Sequence, residues 1–75
     1  MKNERFALES KLMMEKLNKL ASEKGLSYMR IAIITGLKTA NICSILNGKY
    51  SPSLDNLINI ATAIGYHIEF KEINL

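Results

Sequence analysis

Residues 27–49 read SYMRIAIITGLKTANICSILNGK. Two short runs of helical periodicity flank Gly36-Leu37-Lys38, one expected from Tyr28 to Thr35 and the other from about Thr39 to Asn47. Ser27 suits the N-cap of the first, because its hydroxyl can accept from a backbone N–H of the opening turn. Close crossing of two such helices constrains six positions. Ala32 must be small, since the second helix passes over it. Gly36 must accept positive φ at the turn. Ile31, Leu37, Ile42 and Ile45 must be apolar, because they fill the space between the helices. All six conditions hold at the spacing a helix-turn-helix needs, and Asn47-Gly48-Lys49 follows.

Working outward, Gly25, Gly36, Gly48 and Gly65 each follow a helical pattern and divide the chain into four helices and a tail. Helix 1 is expected from about Glu4 to Lys24, with Met13, Leu17, Leu20 and Ala21 on its apolar face. Phe6, Leu8 and Leu12 extend its apolar character toward the N-terminus. Helix 4 follows Pro52, with Ser53 as N-cap and Asp55 placed to suit the helix dipole. Leu54, Leu57, Ile58, Ile60, Ala61 and Ile64 give it a broad apolar face. After Gly65 the period changes to two: Tyr66, Ile68 and Phe70 alternate with His67, Glu69 and Lys71. That pattern predicts a strand. One strand needs a partner for its backbone groups, and the sequence offers no second strong strand. The expected solution is the same strand of a second copy, antiparallel about a two-fold axis, with Tyr66, Ile68 and Phe70 in the dimer interface. The chain therefore divides into residues 1–65, a helical domain, and 66–75, a dimerisation strand.

Bulk properties narrow the function. Seventy-five residues support one core and leave no room for a cofactor domain, so no enzyme and no cofactor are expected. At 48% hydrophobic and 23% charged, the chain has enough apolar matter to fold. One cysteine, Cys43, and one histidine, His67, support neither an internal disulfide nor a zinc site. The opening MKNERFALESK has charges throughout and no apolar run of signal-peptide length, and no segment reaches membrane-span length. The expected compartment is a reducing cytoplasm, with no membrane partner. The net charge of +3 is mild, but its distribution is informative: no acid lies between Glu23 and Asp55, whereas Lys24, Arg30, Lys38 and Lys49 do. A segment free of negative charge suits a face that approaches phosphates.

Leu26-Ser27, Ile31-Ala32, Thr35-Gly36-Leu37, Ile42, Ile45 and Asn47-Gly48-Lys49, followed by Pro52-Ser53-Leu54, Ile60-Ala61 and Ile64-Gly65, resemble the Cro/C1 (Xre) family of repressors and antitoxins. The likeness covers roughly residues 13–65. It implies a mainly α, four-helix, lambda-repressor-like domain that binds double-stranded DNA as a homodimer, with helix 3 in the major groove. By position, Thr39, Ala40 and Ser44 lie at base edges, and Asn47 and the backbone after it approach phosphates. Thr and Ser hydroxyls can donate to or accept from bases, Ala40 and the Thr39 methyl suit a thymine methyl, and Asn41 suits adenine. Ser27, Tyr28, Arg30, Lys38 and Lys49 are further phosphate candidates. The chain departs from the family's pattern in three ways. Tyr28 stands where Gln is frequent. Lys38 replaces the usual Ser or Thr N-cap of helix 3. The reading face lacks Arg and Gln, so sequence preference is expected to rest partly on DNA shape and backbone contacts.

Met29, Ile33 and Ile34 on helix 2 occupy positions that relatives commonly fill with polar residues. Either they widen the core, or they meet another chain or helix 1. Three functions remain open: a transcriptional repressor, an antitoxin that adds a toxin-binding surface to the same domain, and a protein-interaction module without DNA binding. Cys43 reads as a space-filling residue rather than a redox switch, and His67 as a structural or exposed side chain.

Overall fold

A computed structural model describes residues 4–74, with side chains from Leu8 onward. It contains α1 (Glu4–Glu23), α2 (Tyr28–Thr35), α3 (Thr39–Leu46) and α4 (Leu54–Ile64). α2 spans the expected residues. α1 and α3 each stop one residue short of the sequence reading, and Asn47 becomes the C-cap of α3.

Each boundary has a local cause. The Ser27 hydroxyl accepts from Arg30 N at 3.1 Å, and the Ser53 hydroxyl from Asn56 N at 3.2 Å, so both caps expected from sequence hold their helix starts. Gly36 ends α2 in the left-handed conformation, φ 77°, and its N–H returns to Ala32 O. Thr35 fixes the turn that follows: its hydroxyl donates to Ile31 O at 2.8 Å and accepts from Leu37 N at 3.2 Å. Asn59 Nδ2 of α4 donates to Thr35 O at 3.0 Å, satisfying a carbonyl at the open end of α2.

α2 packs on α3 and α4, and α1 packs on the same two helices. Ile31 and Ala32 of α2, Ile42, Ile45 and Leu46 of α3, and Ile60, Ala61 and Ile64 of α4 are buried. From α1 the core takes Met14, Leu17 and Ala21, and Leu20 packs at its edge. Met13, expected inside, is exposed. Met13 and Met14 lie four and three residues before Leu17, so helical spacing admits both; the direction of approach of α3 and α4 selects Met14. Leu8 and Leu12 are exposed as well, and the Phe6 side chain lies outside those described. Leu54 and Ile58 likewise leave the core face of α4, while Leu57 packs against it.

Lys24 fastens the end of α1 to the end of α4. Its ammonium donates to Ile64 O at 2.8 Å and stands 4.5 Å from the centre of the Tyr66 ring. A cation at a helix C-terminus is favourable, as is one over an aromatic face. Among the described residues after Gly65 there is no strand. The structure contains one chain, and a β-ladder requires a second strand. No single described helix is long and apolar enough to cross a membrane, and no group of three metal-ligating side chains occurs among the described residues.

Candidate nucleic-acid interface

The axes of α2 and α3 are bent by 115° at the Gly36-Leu37-Lys38 turn, within the range of a helix-turn-helix. Ile42, Ile45 and Leu46 turn the apolar stripe of α3 into the core. At 100° per residue, Ala40 and Ser44 then fall on the opposite side, one turn apart, with Asn41 beside them. Thr39, Ala40 and Asn41 are exposed and Ser44 is half-buried, so the four expected base-reading residues share the outer face and N-terminal end of one helix.

Lys38 is the N-cap of α3 but makes no side-chain capping bond. Helix geometry leaves the first N–H groups of α3 without intrahelical acceptors, beside an exposed cation. Arg30 and Lys49 are exposed too. Lys24, the fourth cation of the acid-free window, is held by Ile64 O and Tyr66. Ser27 uses its oxygen as an acceptor within the cap and retains its hydroxyl proton as a donor.

Two expected phosphate contacts have their donors engaged inside the protein. The Tyr28 hydroxyl donates to Asn18 Oδ1 at 3.2 Å. The Asn47 amide donates to Cys43 O at 2.7 Å and to the Tyr28 oxygen at 3.3 Å. The backbone after α3 is engaged as well: Asn47 N binds Cys43 O at 3.1 Å, Gly48 N binds Ile45 O at 3.0 Å, and Lys49 N binds Ser44 O at 3.0 Å. In this arrangement Tyr28 and Asn47 brace the two helices. Asn18 and Asn59, which tie α1 and α4 to this unit, carry no signal in the sequence, because an isolated Asn does not announce its distant partner.

Met29, Ile33 and Ile34 are 64%, 70% and 51% exposed. They do not widen the core, and α1, seated on α3 and α4, does not cover them. Cys43 is a half-buried free thiol. His67 Nε2 lies 2.7 Å from Glu69 Oε1, both side chains being exposed. Ile68 and Phe70, expected at a dimer interface, flank an apolar groove with Leu54 and Ile58 of α4; Phe70 is fully exposed, and Tyr66 is partly covered by Lys24.

In comparisons with protein-family models, curated proteins and solved structures, no significant match to the chain was found.

Proposed function

We propose that the protein is a sequence-preferring DNA-binding transcriptional regulator, a repressor, that inserts α3 into the major groove as a homodimer. The observation that carries this reading is the division of α3. Its apolar stripe is sealed against α2 and the core, and its other side offers Ala40 and Asn41 to solvent beside Lys38, with half-buried Ser44 one turn beyond Ala40. A solvated helix meant only to close the core has no need of an acid-free, cation-flanked outer face. Thr39, Ala40, Asn41 and Ser44 contact bases; Ser27, Arg30, Lys38 and Lys49 contact phosphates; Tyr28 and Asn47 hold the frame. Selection of bound duplexes from a random pool tests the reading. It predicts retention at low salt and a recurring two-fold-symmetric site.

The homodimer is proposed to form through residues 66–72. Antiparallel pairing keeps Tyr66, Ile68 and Phe70 on one face only in registers that pair residues of equal parity. Centred on Ile68, the pairing sets His67 opposite Glu69 of the partner subunit and Tyr66 opposite the partner's Phe70. Centred on Glu69, it sets Glu69 against its own copy and His67 against a lysine. Like charges directly opposite are unfavourable and aromatic pairs favourable, so the register centred on Ile68 is preferred.

The exposed Met29, Ile33 and Ile34 favour one second reading, an antitoxin whose α2 binds a protein partner beside the DNA-facing helix. A toxic neighbouring gene product that binds the wild-type chain but not the Met29→Gln/Ile33→Gln variant would establish it.

A further inference from the structure

We propose that a groove between the N-terminal half of α1 and the α3–α4 loop binds a DNA phosphodiester, with Lys11 and Lys49 as its two cations. The proposal rests on the DNA-binding reading above and extends it to a part of α1 that precedes the helix-turn-helix.

The groove has a volume of about 430 Å³ and a floor that includes Met14. Lys11 reaches it across Gly48. A side-chain carbon at position 48 would stand 2.7 Å from Lys11 Cγ, so the absence of one makes the track along which the lysine lies. Ser10 Oγ and Ser51 Oγ, 3.1 Å apart, join helix and loop on the same side. One hydroxyl proton is used between them and the other is left for a ligand. Lys49 and Tyr50 complete the mouth.

Charge and position both point to the duplex backbone. Among the described residues no carboxylate lines the groove, and neither Lys11 nor Lys49 is held in an ion pair. Two ammonium groups and a hydroxyl supply donors, which is what the accepting oxygens of a phosphodiester require. Lys49 N is bonded to Ser44 O, so the groove, lined from Gly48 onward, lies directly after the last turn of α3, the helix offered to the bases. A phosphate seated there would fix the depth and angle at which α3 enters.

The test is the salt dependence of binding to a mixed-sequence duplex between about 50 and 200 mM salt. Lys11→Met keeps the aliphatic cover over Gly48 and removes the charge; Lys11→Arg restores a cation. Thermal denaturation of each variant confirms folding. The slope of log K against log salt should fall by about 0.9 in Lys11→Met, by about 1.8 when Lys49→Met is added, and return in Lys11→Arg. If Lys11→Met keeps the wild-type slope while Lys38→Ala lowers it, the duplex docks without this groove and the proposal is overturned. If the wild-type chain has no affinity for the duplex at the lowest salt, the DNA-binding reading fails and takes the groove with it.

Discussion

Tyr28, the first residue of α2, and Asn47, the C-cap of α3, are joined side chain to side chain at 3.3 Å. The Tyr28 hydroxyl donates in turn to Asn18 of α1, so one oxygen braces three helices around the α2–α3 unit. Tyr28→Phe should lower stability by about 0.5–1.5 kcal/mol, the usual worth of a hydrogen bond. Urea unfolding should show an earlier midpoint with an unchanged slope. DNA affinity, measured where both proteins are folded, should hardly change. A large loss of affinity without a loss of stability would mean that the hydroxyl serves a phosphate instead.

Lys38 sits where a hydroxyl or carboxylate side chain would cap α3, and it caps nothing. Lys38→Ser should therefore stabilise the fold by about 1 kcal/mol through a new cap. It should also weaken binding to every DNA sequence and flatten the salt slope by about 0.9. Paired denaturation and DNA titrations check both signs. Stabilisation without weaker binding would remove Lys38 from the DNA face.

Neighbouring residues of α2 should respond in opposite ways. Ile31 is fully buried and Ile33 is 70% exposed. Ile31→Ala should cost about 2–5 kcal/mol as a core truncation. Met29→Gln and Ile33→Gln should stay within about 0.5 kcal/mol of wild type, as surface changes do. Chemical denaturation separates the two classes. Comparable losses at Ile31 and Ile33 would contradict the packing of α2.

Much of this architecture was legible because each helix end is written locally. Ser27 and Ser53 cap, Gly36 and Gly65 terminate, and Ile31, Ala32, Ile42 and Ile45 recur at the period of a buried stripe. The exposed face of α3 could be read by subtraction from that stripe. Three matters could not. Adjacent Met13 and Met14 both fit the helical period, and only the approach of α3 and α4 distinguishes them. Met29, Ile33 and Ile34 are apolar outside the core, contrary to the pattern rule. The bonds of the Tyr28 hydroxyl depend on Asn47 across the turn and on Asn18 of α1, which no local spacing encodes.

The tail should reveal its register by cross-linking. With Cys43→Ser as background, Ile68→Cys should form a disulfide-linked dimer on mild oxidation. Residues directly opposite in an antiparallel pair have Cα atoms about 4.5–5.5 Å apart, within disulfide range. Efficient linkage of Glu69→Cys instead would move the two-fold axis by one residue. A full-length chain that sediments as a monomer at high concentration would contradict strand pairing altogether.

On the proposed function, the outer side of α3 reads duplex DNA. The most direct test is selection of bound fragments from a random pool, run side by side for wild type and Ser44→Ala at about 50 mM salt, where phosphate attraction is strong. A palindromic site with half-sites about 10 base pairs apart is expected, with a changed preference within each half-site for the variant. Recovery of no sequence above the starting pool, or an identical site from both proteins, would contradict that reading.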